Sequence, residues 1–253
     1  MIAALLALAV GASPACGLPP LAPGNRPWRT GETLTFDLDV FGVVKAGTLQ
    51  LTVERPMSRG TVVPLRARAR TTSTLAGVKS FVGVGLSWVD STTLLPERYR
   101  DESEENGVRK VSDARIRPPG PELIIAFGHG GEATKTSYAR DGDVLDAVST
   151  LYYLRAARLS PGDRFCFDLV ANRRFWRLEG SVALKTERVE TPAGRFQTFR
   201  VDATARRVGD AQGKSRPLHL WFGTDARRLP VAVVSEVDMG PVRAMLSSIR
   251  GAR

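Results

Sequence analysis

The sequence has few residues suited to metal or thiol chemistry. Its 253 residues include two histidines and two cysteines, too few for a zinc cluster or for a scaffold held together by several disulfides. The nucleophile motif Gly-x-Ser-x-Gly and the phosphate-binding patterns Gly-x-x-x-x-Gly-Lys and Gly-x-Gly-x-x-Gly do not occur. These absences exclude most histidine-based catalysis, and we predict that the protein uses no metal and no cofactor.

Lysine is scarce as well. Of the 36 lysine and arginine residues, which exceed the 26 acidic residues and give a formal net charge of +10, only six are lysines. The arginines are spread along the chain without an aromatic-basic stacking motif, so we predict no nucleic-acid partner. Arg66, Arg68 and Arg70 share one face of a predicted strand. We predict that they contact anionic lipid or lipopolysaccharide head groups.

The longest apolar run lies at the amino terminus. Residues 2–10 are uncharged and apolar, and small residues follow at positions 11–13. A membrane-spanning helix needs about 20 apolar residues, whereas this shorter run is typical of a secretory signal. We therefore predict a signal peptide over residues 1–15 and export to the periplasm or the outer membrane.

Cys16 follows the signal segment, and two interpretations of it stay open. It occupies the position of the lipid-acceptor cysteine of a bacterial lipoprotein, or it follows ordinary cleavage after Ala15. A disulfide to Cys166 is our third choice, because residues 16–27 are proline-rich and predicted to be flexible. Cys166 lies between two phenylalanines and is expected to be an inert small side chain in a strand.

Polar and apolar residues alternate from Gly31 onward. In the first run Leu34, Phe36 and Leu38 fall on one face of a half-buried strand. Strands with one wet and one dry face are typical of antiparallel sheets. The dipeptide Asn106-Gly107 predicts a tight hairpin, and the acidic patch beside it is expected to be its solvated tip: Asp101, Glu102, Glu104 and Glu105.

The period changes once, between residues 143 and 155. Apolar side chains there recur at helical spacing, which predicts one amphipathic helix of about 14 residues with Asp141 or Asp143 as its N-cap. We predict a mainly β fold: a single strongly curved antiparallel sheet of about ten strands, a half or whole β-barrel, wrapped on this central helix. It forms a single domain over residues 28–250.

Five segments carry a family resemblance. They are Gly31-Glu32, Ala46-Gly47 with Leu49 and Leu51, Asp146 to Arg155, Thr191 to Phe196, and Leu220-Trp221 followed by Thr224-Asp225, Arg228 and Leu229-Pro230-Val231. Their order resembles the bacterial family called domain of unknown function 3108. The resemblance implies an exported or envelope-associated β-rich protein without an assigned reaction. At fold level only, the plan is similar to the lipoprotein-localisation carriers, half barrels that shield acyl chains.

The favoured function is non-enzymatic. A curved sheet that its helix does not fill holds an apolar or lipid-like ligand, and we expect these in-facing side chains to line the pocket: Phe36, Leu38, Trp88, Phe127, Tyr152 and Phe167. The first alternative is a scaffolding module of the cell envelope with a self-filled core.

The second alternative is a hydrolase that uses His129, which follows Gly128 in a glycine-rich stretch. It requires His129 to lie in a cleft beside an acid and fails if His129 lies at an exposed hairpin tip. The other histidine, His219, is expected on the outer face of a strand and not as a metal ligand. The sequence indicates no protein partner.

Overall fold

The protein is mainly β and is built on one large sheet. The computed structural model describes residues 17–24, 26–40, 42, 44–72, 80–117, 122–129, 132–140, 142–210, 213, 215–237 and 240–251. Within these residues, fifteen strands form a single sheet, and one α-helix accompanies it. No helix in this part of the chain is both long and apolar enough to cross a membrane.

The strands follow one another with short connections. The first eight are β1 Thr33–Val40, β2 Val44–Val53, β3 Val62–Thr71, β4 Phe81–Asp90, β5 Pro96–Glu105, β6 Val108–Arg115, β7 Glu122–His129 and β8 Glu132–Ala139. The short strand β9 Val144–Asp146 leads directly into the helix α1 Ala147–Ala156. The remaining strands are β10 Arg164–Ala171, β11 Arg174–Thr191, β12 Gly194–Arg207, β13 Arg216–Gly223, β14 Pro230–Val237 and β15 Gly240–Arg250.

Two antiparallel meanders make up the sheet. Strands β1 to β8 form the first and β10 to β15 the second, and antiparallel pairing of β1 with β15 joins them. In the described sheet, β9 with β10 is the one parallel pair. The sheet is not closed, because β8 and β9 are its two edges.

The predicted number of about ten strands was too low. The segment from Asp101 to Glu105, expected to be a solvated hairpin tip, is the second half of β5 and pairs with both β4 and β6. Alternating hydrophobicity does not reveal such a strand, because polar residues occupy both of its faces. The predicted hairpin at Asn106-Gly107 is confirmed, and its two residues have the positive φ angles of 50° and 79° that a tight turn requires.

The predicted helix starts later and is shorter than expected. Residues Val144–Asp146 are extended and pair with β10, and the helix occupies the ten residues Ala147–Ala156. Asp146 is the N-cap in place of Asp143, while Asp141 lies outside the described residues. The spacing of apolar residues could not separate this short strand from the helix that follows it, because both are buried.

The helix is buried on nearly all sides, so the prediction of an amphipathic helix was wrong. Eight of its ten residues are buried, and it contacts β3 and β4 as well as β9 and β10. A helix covered from several directions has no need of a polar face. Its apolar and aromatic side chains belong to one continuous core that includes residues of both meanders.

Strands that are far apart in the sheet order touch each other. The ring of Tyr138 on β8 lies 5.4 Å from the ring of Phe175 on β11. The hydroxyl of Ser87 on β4 donates a hydrogen bond to Asp146 at the end of β9, over 2.5 Å. The region around β9 and β11 therefore lies against β4 and β8.

Candidate functional site

The two faces of the sheet differ in what covers them. One face, here called the inner face, carries Leu34, Leu65 and Leu220, which are 0%, 1% and 4% exposed. Successive side chains of a strand point to opposite faces. The residues that alternate with these leucines, such as Arg66, therefore lie on the opposite face, here called the outer face.

The inner face is buried at one end of its strands and partly exposed at the other. On β3, Leu65 is buried, whereas Ala67 and Ala69 are partly exposed. Leu49 pairs with Ala69, and β1 pairs with β15. These pairings place the partly exposed positions of the different strands at the same end of the sheet. We call this the open end, and its apolar inner-face residues are Leu38, Leu49, Ala67, Ala69, Leu218, Val233 and Val242.

A buried ion pair closes the opposite end. The side chains of Arg155 in the last turn of α1 and Glu32 before β1 are 1% and 2% exposed. Arg155 Nη1 and Nη2 donate to the two Glu32 carboxylate oxygens over 2.5 and 3.1 Å. Its Nε and Nη2 also donate to the carbonyl oxygens of Arg227 and Pro27, each over 2.9 Å. The guanidinium lies 5.5 Å from the ring of Trp28, so one side chain connects three segments of the chain.

Residues 17–24 belong to the segment predicted to be flexible, and they lie along this closed end. The hydroxyl of Tyr153 donates to the carbonyl oxygen of Pro19 over 3.0 Å. The backbone N–H of Arg158 donates to the carbonyl oxygen of Pro20 over 2.8 Å. Proline lacks an amide donor but keeps its carbonyl acceptor, and these carbonyls hold the segment against the end of α1.

Asp146 is a buried carboxyl group between α1 and β4. Its side chain accepts hydrogen bonds from the backbone N–H groups of Val148 and Ser149, over 2.8 and 2.9 Å, and from the Ser87 hydroxyl. The Ser149 hydroxyl accepts from the Asp146 N–H over 2.9 Å, which completes a capping box. Burial raises the pKa of Asp146 to about 6, and the hydrogen bonds, that of Ser87 foremost, only partly offset this rise.

Asp101 on β5 is a second carboxyl group with a raised pKa. Burial raises its pKa to about 6, and the positive charge of Arg173 in the β10–β11 turn opposes the rise. Arg173 also lies 4.4 Å from the ring of Phe127 on β7.

Carboxyl groups that titrate near neutral pH are common in active sites, but both Asp146 and its partner Ser87 are 0% exposed. A substrate cannot reach that pair in this arrangement.

The six predicted cavity residues do not line a common wall. Phe36, Tyr152 and Phe167 are at most 2% exposed and belong to the continuous core. Leu38 lies at the open end, and Phe127 lies beneath Arg173.

Trp88, the sixth predicted cavity residue, lies on the outer face. Its neighbours Ser87 and Val89 are fully buried on the inner face, and its own ring lies 5.2 Å from the guanidinium of Arg98. Alternation fixed which residues share a face, but the sequence around Trp88 did not show which of the two faces is covered.

The three predicted lipid-contacting arginines share the outer face of β3. Arg66 forms an ion pair with Glu54. Arg68 and Arg70 are exposed, and neither forms an ion pair with another described residue. Two of the three guanidinium groups are therefore accessible from solvent.

The two histidines lie on different strands, β7 and β13. His129 is the last residue of β7, is exposed, and lies 6.2 Å from the ring of Phe127. This is the exposed position at which the hydrolase hypothesis was expected to fail. His219 lies on the outer face as predicted, with its Nδ1 2.5 Å from an Asp202 oxygen. Across the described ranges, no group of three or more histidine, cysteine or acidic side chains is placed to hold a metal ion.

Cys166 is not the inert side chain that we expected, because it is disulfide-bonded. Its backbone pairs with that of Gly17 in an isolated antiparallel bridge. The predicted lipidation site, Cys16, lies outside the described residues. The amino-terminal segment therefore reaches Cys166, and the disulfide, which we ranked third, is the interpretation that this contact favours.

Neither the Glu32–Arg155 ion pair nor the interaction of Asp101 with Arg173 was predicted. The available signal was a single arginine among apolar helix residues, and Glu32 and Arg155 both lie in segments that carry the family resemblance. Asp225, in the last of these segments, accepts a hydrogen bond from the backbone N–H of Arg228 over 3.1 Å.

Comparison with known proteins agrees with this fold. A β-barrel-like protein of the domain of unknown function DUF1849 from Brucella abortus has a TM-score of 0.58 at 10% identity, covering 87% of this chain and 97% of that chain. This likeness shows the fold alone. A Bacteroides fragilis protein with a YmcC-like fold has a TM-score of 0.36 at 13% identity, covering 93% and 99% of the two chains. A candidate lipoprotein from Parabacteroides distasonis has a TM-score of 0.37 at 12% identity, covering 88% and 97%.

No curated protein matches the chain. The family described as "Protein of unknown function (DUF3108)" matches residues 35–247. This range contains α1 and the whole sheet except the first two residues of β1 and the last three of β15, and it confirms the resemblance carried by the sequence segments. The chain belongs to the DUF3108 family of proteins of unknown function.

Proposed function

We propose that the protein is an exported, non-enzymatic component of the bacterial cell envelope that holds an apolar, lipid-like ligand at the open end of its sheet. The observation that carries the proposal is the change in exposure along the inner face. Leu65 is 1% exposed, while Ala67 and Ala69 farther along the same strand are partly exposed.

The open end carries adjacent apolar side chains that are partly exposed. Leu38, Leu49 and Ala67 also pack against the core that covers the rest of this face. Leu49 and Ala69 pair directly across β2 and β3, and Leu38 pairs with Gly47 in the next row. A contiguous apolar surface of this kind is typical of a ligand-binding site. An acyl chain that covers these side chains would gain roughly 25 cal/mol for each Å² of apolar surface removed from water.

Strong curvature of the sheet is part of the proposal. The Tyr138–Phe175 ring contact and the contact of Arg173 with Phe127 support it, because both join the first meander to the second. A curved sheet gives the open end a concave wall on which a flexible chain keeps contacts on more than one side.

Export is supported by the amino-terminal apolar run and by the disulfide at Cys166. Disulfides persist in oxidising compartments such as the bacterial periplasm. We propose that the partner of Cys166 is Cys16, the other of the two cysteines in the sequence. A sulfur atom in a disulfide cannot also form the thioether of a lipoprotein, and we therefore favour plain signal cleavage over lipidation.

Metabolic labelling with a palmitate analogue tests this choice. We expect no palmitate label on the wild-type protein. In a separate thiol-alkylation experiment, we expect two fewer cysteines to be alkylated before reduction of the protein than after it. The variant Cys166→Ser serves as the control, because it leaves Cys16 free to react. Label on the wild-type protein that disappears in Cys16→Ser would show lipidation and contradict the disulfide.

Ligand binding is tested with a fluorescent fatty acid and a matched pair of variants on β2. Leu49 lies on the inner face, and the adjacent Gln50 lies on the outer face. Leu49→Glu places a charge in the proposed site and is expected to weaken binding by at least about tenfold. Gln50→Glu makes the same charge change outside the site and is expected to leave binding unchanged.

Native mass spectrometry of the wild-type protein, purified from cells without detergent extraction, provides a second measurement. A co-purified lipid that the fluorescent fatty acid displaces is the expected result. Ala67→Phe, which fills part of the site without adding charge, should reduce the amount of that lipid. Circular dichroism shows whether each variant keeps its strands.

The second candidate function is a scaffold whose interior is filled by its own helix. The burial of eight of the ten α1 residues favours it. For this candidate, no lipid co-purifies, and Leu49→Glu and Gln50→Glu bind the fluorescent fatty acid equally weakly. That outcome would contradict the ligand-binding proposal.

A further inference from the structure

The outer face of β3 and β4 carries a regular row of paired arginine and apolar residues. Arg66 pairs with Leu86, Arg68 with Val84 and Arg70 with Val82. Each pair lies directly across two neighbouring strands, where side chains are about 5 Å apart. We call these six residues the β3–β4 patch.

The patch is accessible to solvent and has unpaired positive charge. Val82 is 56% exposed. Arg68 and Arg70 are exposed, and the described part of the chain gives neither of them an ionic partner. Only Arg66, at the far end of the row, is paired, with Glu54.

A groove of about 520 Å³ runs along the apolar side of the patch. Val82, Val84 and Leu86 form one wall, and Arg100 and Arg109 lie on the other side. The acidic residue between those arginines, Glu102, is ion-paired with both of them. Glu104 is exposed and faces Arg109 across β5 and β6. Glu102 is thus balanced. Glu104, which pairs with Val82 across β4 and β5, forms no ion pair with another described residue, and neither do Arg68 and Arg70.

Guanidinium groups beside exposed aliphatic side chains fit the boundary between lipid head groups and acyl chains. Arginine binds phosphate oxygens in a bidentate geometry. Small apolar side chains at the same level are removed from water when they enter that boundary. Nucleic acid has anionic phosphates as well, but it offers no apolar layer for Val82 and Val84.

We propose that the β3–β4 patch docks the protein on an anionic phospholipid surface. The same strand β3 carries Ala67 and Ala69 of the open end on its inner face, alternating with Arg66, Arg68 and Arg70. Docking of the outer face therefore leaves the open end on the side of the sheet that points away from the bilayer. The docking proposal does not depend on the proposed function.

Sedimentation with lipid vesicles tests the proposal. We expect the wild-type protein to bind vesicles of phosphatidylethanolamine and phosphatidylglycerol, and not vesicles of phosphatidylcholine alone. Near a charged membrane surface each arginine contributes about a fivefold change in binding. Arg68→Gln combined with Arg70→Gln is therefore expected to weaken binding by about 25-fold.

A matched variant separates the patch from overall charge. Arg158→Gln combined with Arg195→Gln removes the same net charge from two exposed positions away from β3 and β4, and it is expected to weaken binding far less. Val82→Ser with Val84→Ser keeps the charge and is expected to weaken binding several-fold, because less apolar surface is buried.

Three outcomes would overturn docking: equal binding to anionic and neutral vesicles, equal losses in the two arginine double variants, and absence of binding to any vesicle. The last would indicate an acidic protein as the occupant of the patch. The fatty-acid measurement on Leu49→Glu does not involve these arginines. Failure of docking and failure of ligand binding are therefore distinguishable.

Discussion

Replacing Arg155 with methionine is expected to lower the free energy of unfolding by about 3–5 kcal/mol. The substitution removes the hydrogen-bonded counter-charge of the Glu32 carboxylate, which is 2% exposed, and leaves Arg227 Nη2 at 4.0 Å as a weaker partner. The carbonyl oxygens of Arg227 and Pro27 also lose the donors that Arg155 supplies. Each of these groups was taken out of water on folding, and without a partner its desolvation is not compensated.

Chemical denaturation with urea measures this effect, and an exposed ion pair provides the control. The side chains of Arg195 and Glu190 are 75% and 67% exposed, and Arg195→Met is expected to cost at most about 1 kcal/mol. The double variant Glu32→Leu with Arg155→Met should recover part of the stability lost in Arg155→Met, because no unpaired charge remains. Equal losses in Arg155→Met and Arg195→Met would contradict a buried, structurally important pair.

The free energy of unfolding of Asp146→Asn, minus that of wild type, is expected to increase as the pH rises from 4 to 7. Burial raises the pKa of Asp146 from 3.8 to about 6. Between these two values the folded state keeps a proton that the unfolded state has released. The stability contributed by this group is therefore highest at pH 4 and is lost as the pH rises through 6.

The size of the change follows from the difference between the two pKa values. Two pH units correspond to about 3 kcal/mol, so the stability of Asp146→Asn minus that of wild type should increase by about this amount over the range. Asparagine keeps an oxygen that can accept from the N–H groups of Val148 and Ser149, so the N-cap is retained. Urea denaturation at a series of pH values provides the measurement.

Asp90 provides a control of opposite sign. Its pKa is lowered, chiefly by a hydrogen bond from the backbone N–H of Thr93. Ionised Asp90 therefore stabilises the folded state above the pKa of the unfolded chain, and this contribution is lost as the pH falls. Asp90→Asn should become less stable relative to wild type as the pH rises, whereas Asp146→Asn should do the reverse. The same trend in both variants would contradict the burial of Asp146.

Several features of the fold could be predicted because they depend on a few neighbouring residues. Alternation in β1 identified Leu34, Phe36 and Leu38 as one face, and Asn106-Gly107 marked a turn that its positive φ angles confirm. The same local rule failed for β5, whose acidic residues occupy both faces of a paired strand. It also failed for β9, which is too short to show a period.

The candidate site was harder to predict than the strands. Leu38 is the one predicted cavity residue that lies at the open end, while Phe36 and Phe167 are enclosed in the core. A sequence pattern shows that a side chain faces inward. It carries no information about how far along the strand other segments of the chain cover that inner face. That distance depends on where α1 and residues 17–24 lie.

The sequence by itself determined that this is a β-rich chain with two chemically different faces and one helix, because side-chain alternation and helical spacing are properties of adjacent residues. Only the tertiary structure decided that β1 pairs with β15, that Arg155 reaches Glu32 across 123 positions, and that one end of the inner face stays open. Such contacts form when distant segments are brought together by burial of a common core, and no local pattern records which segments will meet.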